Sequence, residues 1–381
     1  MRTIGVLLWK PGISENGIGN KPLRFQARTL REKEAAAPPL HRILCLRPDG
    51  IGDMVCCLPA LESLRAAYPA AHLAVLAGPR NEELLREHPA VDRTLVADLR
   101  GRDGTPWPLW RLGRRLRRER FDAVFAFRTE TRTHYLAWAT QAPYRVGYAD
   151  KPMGRWLTHA LTGGHRRGTF HEIERNLALL ELLAIPTTRR QPRLFLTTAE
   201  RLEARQWLRE HEIAEEDFLI GIHPGASTPD RCYPEERYAW TVARLQEREA
   251  LKGRLVVLAF EGPADQAPVE RLIQALKAEG VPYRRARTGG LRQMMALMAA
   301  CRLVLANDSG PMHVAAALEV PFVAVFGPGD HLRWMPPGEH GRMVRPVDPQ
   351  ERDLRTIPAT RILEAVEELI LWIKDRSESS S

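Results

Sequence analysis

Apolar and polar positions along this chain alternate in blocks that separate short buried strands from amphipathic helices. Continuous apolar runs predict strands in the first half at 43–46, 73–77, 94–97 and 121–127. The same pattern predicts strands in the second half at 218–222, 255–260, 303–306 and 322–326. Apolar residues at helical spacing predict helices at 53–68, 80–87, 171–183, 234–249, 266–279, 291–299, 311–318 and 359–373. Apolar strands separated by helices indicate an α/β fold, with parallel sheets that are covered on both faces.

The pattern divides into two similar halves with a poorly patterned segment at each end. Residues 1–40 contain a basic stretch and a proline-containing linker, and we expect a weakly ordered extension there. We place one doubly wound domain at 41–200 and a second at 201–350. Residues 351–381 are predicted to form a terminal helix and a disordered tail from Ser377. The length of 381 residues suits two domains of roughly 150 residues each.

Composition narrows the class of protein. The chain is 44% hydrophobic and 27% charged, which excludes a disordered chain. Its five cysteines contain no Cys-X-X-Cys pair, so we expect reduced thiols in the cytoplasm. We find neither a signal peptide nor an apolar run of the ~20 residues that a membrane span needs. The net charge of +9 favours anionic partners, but the arginines lack the interleaved aromatics of single-strand binders, so nucleic acid is rejected.

The first loop of interest follows strand 43–46 and reads Arg47-Pro-Asp-Gly-Ile-Gly-Asp53. In doubly wound sheets, ligands bind beyond the carboxyl ends of the strands, which is where this loop lies. Two glycines would allow a tight turn and a close approach to a ligand. Asp53 either faces a substrate or caps the following helix, and the residue type suits both roles.

Two loops of the second half end in residues that suit a nucleotide. The segment His223–Arg231 combines small residues with Arg231, whose planar guanidinium can donate to a phosphate. An ordinary surface turn would have the same composition. After strand 255–260, the carboxylate of Asp265 could accept ribose hydroxyls or begin the next helix.

The most informative loop reads Asn307-Asp-Ser-Gly-Pro-Met-His313 and opens a helix. Ser309 and Gly310 precede Pro311, which suits a first helical turn, so unpaired N–H groups there could bind an anion. His313 could reach the same anion or pack in the core. Asp308 and His313 have no third ligand at suitable spacing, so no metal site is predicted.

Taken in order, these motifs resemble glycosyltransferase family 9, the ADP-heptose:lipopolysaccharide heptosyltransferases. The resemblance spans roughly residues 42–370 and is carried by the following blocks: Arg47-Pro-Asp-Gly-Ile-Gly-Asp-Met-Val-Cys-Cys-Leu-Pro-Ala-Leu61, His171-Glu-Ile-Glu-Arg-Asn-Leu177, Ile222-His-Pro-Gly-Ala-Ser227, Tyr233-Pro-Glu-Glu-Arg237, Asn307-Asp-Ser-Gly-Pro-Met-His313 and Pro321-Phe-Val-Ala-Val-Phe-Gly-Pro328. Arg231 stands where members commonly carry lysine, and the first loop lacks the serine-rich form of well-known members.

The resemblance implies GT-B architecture with two facing Rossmann-like domains and metal-independent, inverting transfer. It implies a nucleotide sugar, ADP-heptose, as co-substrate and a lipid-linked oligosaccharide as acceptor, with no further cofactor. It makes Asp53 the general base. The other implied roles are the donor diphosphate for Arg231, Ser309, Gly310 and His313, the nucleotide or ribose for Asp265 and Asp308, and the acceptor-side loop for Asp49, Gly50 and Gly52.

Alternative functions remain open. A relative could use another nucleotide sugar to build O-antigen or another surface glycan. A GT-B-fold sugar-nucleotide epimerase or hydrolase is a further alternative, although neither needs the acceptor-side motif. The arginine-rich segment 107–120 is either a solvated helix face or a contact with the anionic inner face of the cytoplasmic membrane.

Overall fold

A computed structural model describes residues 34–163, 170–249, 251–327 and 329–378. These residues fall into two compact units that divide between Phe195 and Leu196, and each unit is described by itself. Of the predicted extension, residues 1–33 lie outside the described residues. Its last part is packed, because Pro38 and Leu40 are buried and the Tyr68 hydroxyl donates to the Pro38 carbonyl at 3.0 Å.

The amino-terminal unit is a six-stranded parallel sheet with helices between its strands. The strands are β1 (Arg42–Arg47), β2 (His72–Ala77), β3 (Arg93–Val96), β4 (Ala123–Ala126), β5 (Tyr144–Tyr148) and β6 (His159–Leu161), in the order β3-β2-β1-β4-β5-β6. The helices are α1 (Ile51–Val55), α2 (Leu58–Ala67), α3 (Glu82–Leu85), α4 (Pro106–Arg118), α5 (Thr131–Ala139) and α6 (Glu172–Glu181).

The carboxyl-terminal unit repeats this design. Its strands are β7 (Phe218–His223), β8 (Leu255–Glu261), β9 (Tyr283–Arg287), β10 (Leu303–Asn307), β11 (Phe322–Val325) and β12 (Gly341–Val344), in the order β12-β11-β10-β7-β8-β9. Its helices are α7 (Thr198–Glu210), α8 (Glu235–Gln246), α9 (Gln266–Ala278), α10 (Leu291–Met298), α11 (Gly310–Ala317), α12 (His331–Trp334) and α13 (Ala359–Glu378).

Both sheets have a point where the strand order reverses, and this point determines where a ligand can bind. In the first sheet the reversal lies between β1 and β4, and in the second it lies between β10 and β7. The connections that leave these neighbouring strands depart on opposite faces, which opens a crevice at their carboxyl ends. The loops at 47–53 and 307–313 leave the sheets there.

The strands read as continuous apolar runs because both of their faces are covered. Ile43, Leu44, Cys45 and Leu46 in β1 are all fully buried, and the residues of β10 are buried throughout. One face of the second sheet packs with α8, α9 and α13 into a single apolar core. The doubly wound α/β fold predicted from the sequence is therefore confirmed for each unit.

The predicted helix at 53–68 is two helices, because the chain breaks at Cys56 and Cys57. Pro59 lies in the first turn of α2 and has no N–H to continue the ladder from α1. The first helix also begins earlier than predicted, at Ile51. At the other end, α13 continues to Glu378, into the segment predicted to be a disordered tail; residues 379–381 lie outside the described residues.

Several elements carry little apolar pattern and were not predicted. The edge strand β9 reads Tyr-Arg-Arg-Ala-Arg, and only Ala286 in it is buried. A sheet edge has one neighbouring strand and more solvent, so its sequence need not be apolar. Short or polar sequence patterns also explain why the following elements were not predicted: α5, α7, β5, β6 and β12.

Candidate active site

Asp53 lies in the crevice of the amino-terminal unit with its carboxylate held on both oxygens. It is the third residue of α1, and its side chain is 29% exposed. Arg47 Nη2 donates to Oδ1 at 2.9 Å, and the Gly50 N–H donates to Oδ2 at 3.1 Å. The residue that precedes α1 is Gly50, so Asp53 is not the N-cap that was considered as an alternative.

Asp49 is turned inward, away from solvent. Its side chain is 6% exposed and lies 3.1 Å from Arg47 Nε and 3.3 Å from Arg128 Nη1. Burial raises the pKa of Asp49 to about 6, although Arg47 opposes the shift, while the nearby Asp53 adds to it. The carboxylate of Asp49 therefore holds the loop in place through Arg47 and Arg128. Its contact with an acceptor remains a prediction.

The two glycines of this loop do not have the backbone conformation expected of a tight turn. Gly50 has φ −83°, which any residue adopts, and Gly52 lies inside α1. Gly50 provides space instead, because a Cβ there would lie 2.9 Å from Asp53 Oδ2 in its present position. The absence of a side chain at this position allows the carboxylate to fold back onto the Gly50 N–H.

In the carboxyl-terminal unit, Arg231 and Asp308 come together at the end of the second sheet. Arg231 ends a short 3₁₀ turn, and its Nη1 lies 3.4 Å from Asp308 Oδ2. The Arg231 side chain is 34% exposed, whereas the Asp308 side chain is only 5% exposed. Burial raises the pKa of Asp308, with Arg231 lowering it and Asp330 raising it further. Arg231 is thus paired with a buried carboxylate, and part of its side chain remains accessible to a ligand.

The start of α11 offers donors for an anion. Gly310 is its first residue and Pro311 the second, so the dipole and the unpaired N–H groups of the first turn point out of the helix start. The Ser309 hydroxyl is buried and has no hydrogen-bond partner among the described residues. His313 is 4% exposed, and its ring packs edge-on against Trp334 with centroids 6.0 Å apart. His313 is therefore packed, as one sequence interpretation had it, within the first turn of the same helix.

Asp265 pairs with His223, a histidine to which the sequence analysis gave no role. Its Oδ2 lies 3.2 Å from His223 Nε2, and its side chain is 16% exposed. A Cβ at Gly225 would collide with Asp265, so the loop after β7 needs a glycine to accept the carboxylate. Asp265 also precedes α9 but makes no side-chain cap bond.

Asn307, the last residue of β10, connects these loops and was missed as a site residue. Its Nδ2 donates to the Pro224 carbonyl at 2.6 Å, and its Oδ1 accepts from the Tyr233 N–H and the Tyr238 hydroxyl. Its position at the end of a strand in the crevice was the available signal. In the amino-terminal unit, the buried Arg47 and Glu172 were missed in the same way.

Among residues 34–163, 170–249, 251–327 and 329–378, no three His, Cys, Asp or Glu side chains group together as a metal-binding cluster. In the same part of the chain, no helix is both long and apolar enough to cross a membrane.

Comparison with known proteins identifies the family. Residues 109–356 match glycosyltransferase family 9 (heptosyltransferase). Lipopolysaccharide heptosyltransferase 2 of Salmonella typhimurium is 28% identical over 314 residues, which cover 80% of this chain and 88% of that protein. The enzyme of the same name from Escherichia coli K12 is also 28% identical, over 312 residues and the same shares of each chain.

Solved structures agree. The family 9 glycosyl transferase of Veillonella parvula has a TM-score of 0.77 at 25% identity, covering 88% of this chain and 99% of that one. The E. coli ADP-heptose lps heptosyltransferase II has a TM-score of 0.71 at 25% identity, covering 87% and 99%. Because the family match spans more than half of the chain and the fold is shared, the protein belongs to glycosyltransferase family 9, the heptosyltransferases, and is a glycosyltransferase of GT-B architecture.

Proposed function

We propose that the protein transfers a heptose from ADP-heptose to a lipopolysaccharide core acceptor, with inversion at the anomeric carbon and without a metal ion. The relatives named for lipopolysaccharide and ADP-heptose support this choice of substrates. The observation that carries the chemistry is the carboxylate of Asp53. It is part exposed at the reversal point of the first sheet, and its orientation is determined by hydrogen bonds to both oxygens.

The reaction needs one base and one stabilised leaving group. The acceptor oxygen attacks the anomeric carbon and forms the new C–O bond, while its proton passes to the Asp53 carboxylate. The bond between the sugar and the diphosphate breaks, and its electron pair leaves with ADP. A carboxylate accepts this proton best when its direction is fixed, which the two hydrogen bonds provide.

The leaving diphosphate gains negative charge, and fixed donors can stabilise that charge. The start of α11 supplies backbone N–H groups, Ser309 supplies an unused hydroxyl, and Arg231 supplies a permanent cation. The histidine at 313 adds a ring in the same first turn. Together these groups stabilise the charge of the leaving diphosphate, which a divalent cation does in other transferases. We assign the ribose of the nucleotide to Asp265 and Asp308.

Asp53→Asn tests the base. We expect turnover to fall by about 10²–10⁴-fold, the usual worth of general-base catalysis, with ADP binding unchanged. Asp92→Asn is a matched control, because Asp92 is also held by an arginine (Arg65 Nη2, 2.5 Å) and a backbone N–H (Leu73, 2.7 Å). The control should lose stability and keep its turnover. More than about a tenth of wild-type turnover in Asp53→Asn would exclude it as the base.

A panel of nucleotide sugars separates this proposal from its alternatives. Transfer only from a sugar other than ADP-heptose would indicate a relative that builds O-antigen or another glycan. Consumption of the nucleotide sugar without an acceptor would indicate an epimerase or hydrolase. Activity that is lost in chelator and restored by magnesium would overturn the metal-free mechanism.

We further propose that the acceptor is lipid-linked and that the protein works peripherally at the inner face of the cytoplasmic membrane. A cavity of about 610 Å³ lies along α4, and its lining includes Arg102, Arg111, Arg114, Arg115, Arg118, Trp107 and Trp110. Trp107 is 64% exposed and stacks on Trp110 with centroids 4.7 Å apart. Arginines beside exposed tryptophans suit a surface of anionic headgroups, where each basic side chain adds about 1 kcal/mol.

The neighbouring helix extends this aromatic surface. In α5, Trp138 is 40% exposed and packs with Tyr135 and with Trp156 from the turn after β5. The helices approach closely at Gly113, where a Cβ would lie 2.8 Å from Ala139 Cβ. The close approach brings α4 beside Tyr135 of α5, 3.5 Å from the Gly113 Cβ position.

Vesicle binding tests this surface. We expect binding to anionic vesicles that weakens with salt, and weaker binding when Arg114, Arg115 and Arg118 are changed to Gln together. The control changes three exposed arginines of α7 to Gln (Arg201, Arg205 and Arg209), which removes the same charge from the other unit. Equal binding of the wild type to neutral and anionic vesicles, or equal loss in both triple variants, would refute the contact.

A further inference from the structure

We propose that Glu172 and Arg47 form a positioning pair that aims the carboxylate of Asp53 and preserves its ability to accept a proton. The inference rests on the proposed function, in which Asp53 is the base. Neither residue touches the substrate in this proposal. Both act through Asp53, from β1 and α6.

Arg47 is the last residue of β1 and is 1% exposed. Each of its three nitrogens has an acceptor. Nε donates to the Asp53 carbonyl at 3.1 Å, Nη1 to the Phe127 carbonyl at 2.8 Å, and Nη2 to both Asp53 Oδ1 at 2.9 Å and Glu172 Oε1 at 2.8 Å. The planar fork therefore connects the end of β1, the chain after β4, the start of α6 and the carboxylate of Asp53. Lysine has no fork and could not make these four bonds together.

Glu172 is the buried partner that determines where Arg47 lies. It is the first residue of α6 and is 1% exposed, and its second oxygen accepts from Arg175 Nη1 at 2.8 Å. Arg175 in turn lies over the Tyr148 ring, with its Cζ 4.9 Å from the centroid. The helix α6 is also joined to the end of α1, because Asn176 Nδ2 donates to the Cys56 carbonyl at 2.9 Å. The helix α6 thus contacts the end of β1 through Glu172 and the residue that follows α1 through Asn176.

The charges around Asp53 give Glu172 an electrostatic role beside its hydrogen bond to Arg47. A buried arginine that faced Asp53 alone would hold that carboxylate in a close ion pair and reduce its affinity for a proton. Glu172 shares the same guanidinium nitrogen, and Asp49 lies 3.1 Å from Nε, so the positive charge of Arg47 is divided among three carboxylates. The other titratable or charged groups that face this cluster from the surrounding elements are Asp49, Arg128, Arg175, Tyr148, Cys56 and Cys57. Arg47 remains charged at every working pH: burial lowers its pKa, but the carboxylates of Asp49, Asp53 and Glu172 outweigh burial and raise that pKa well above its usual value.

Two substitutions separate the roles of charge and direction. Glu172→Gln retains an oxygen acceptor for Arg47 but removes the shared negative charge. We expect the acid limb of its kcat–pH profile to move to lower pH and kcat to fall. Arg47→Lys retains the cation and loses the fork, so we expect kcat to fall by about 10- to 100-fold, the scale of a displacement of up to one ångström. The KM for the nucleotide sugar should stay the same in both, since the donor residues lie in the other unit.

Arg65→Lys is the matched control for a structural arginine. Arg65 also joins separate backbone segments, donating to the carbonyls of Ala71 and Ala90, and it pairs with Asp92. We expect it to lose thermal stability while retaining the wild-type kcat and pH profile. Each variant is assayed at a temperature where its unfolding curve shows it fully folded.

The outcomes distinguish this inference from the proposed function. If Asp53→Asn is inactive, while Glu172→Gln retains the wild-type kcat and acid limb, the positioning pair is refuted and the base stands. If Glu172→Gln and Arg47→Lys lose only the stability that Arg65→Lys loses, their role is structural and the inference is wrong. If Asp53→Asn is active, the base assignment fails and the pair has no base to position.

Discussion

Replacing Gly50 with alanine isolates the position of the Asp53 carboxylate from the stability of the fold. Gly50 has φ −83°, so alanine fits the backbone without strain. Its Cβ would lie 2.9 Å from Asp53 Oδ2, whereas ordinary contacts begin at 3.4 Å, so the carboxylate must retreat by about 0.5 Å, the tolerance of a preorganised site. A displacement of one ångström can cost about 10²-fold in rate. Half that displacement, taken as half the free-energy cost, predicts a loss of about tenfold in kcat.

The stability of the same variant should hardly change. The displaced atom is the end of a side chain, and a glycine-to-alanine change at a compatible position stabilises by about 0.4–1 kcal/mol through the unfolded chain. Weakening the hydrogen bond from the Gly50 N–H costs a similar amount. We therefore expect a free energy of unfolding within about 1 kcal/mol of the wild type.

Gly280→Ala provides the opposite pattern. Gly280 has φ +68° and open space around its Cβ position, so alanine there costs roughly 1–2 kcal/mol of backbone strain and does not touch Asp53. Steady-state kinetics should show a lower kcat for Gly50→Ala and a wild-type kcat for Gly280→Ala. Thermal unfolding should show wild-type stability for Gly50→Ala and a lower stability for Gly280→Ala. A wild-type kcat in Gly50→Ala would refute the link between this close approach and the base.

Three further predictions concern other positions. Ser309→Ala should weaken ADP binding by roughly three- to tenfold in calorimetry without lowering the melting temperature, because the buried hydroxyl has no other partner; unchanged affinity would remove Ser309 from the donor site. Asn307→Leu should lower the free energy of unfolding by about 3 kcal/mol or more, since it leaves Tyr238 and two backbone groups without their partner, and a loss under about 1 kcal/mol would contradict this role. Asp49→Asn should change how stability depends on pH, because the folded pKa of Asp49 is raised to about 6. The free energy of unfolding of the wild type therefore falls as pH rises from about 4 through 6, and the variant lacks that fall. The same dependence on pH in both proteins across this window would refute the prediction.

The sequence alone was sufficient for the fold class and the family. Buried parallel strands must be apolar on both faces, so β1, β7, β8 and β10 are visible as short apolar runs without any knowledge of their neighbours. The motifs that follow β1 and β10 are local in sequence. The resemblance to family 9 is confirmed by the family match over residues 109–356 and by a relative that covers 80% of the chain. Elements whose environment is not apolar, such as β9, had no such signal.

The tertiary structure decided which side chains act together, because that depends on contacts between residues far apart in the chain. Glu172 lies 125 residues from Arg47, and nothing in either local pattern marks them as partners. Asn307 and Pro224 are separated by 83 residues and meet only because β10 and β7 are neighbours in the sheet. Composition and periodicity indicate which residues are buried. They do not report which distant partner satisfies a buried charge, since that is determined by strand order and by the directions in which the loops leave the sheet.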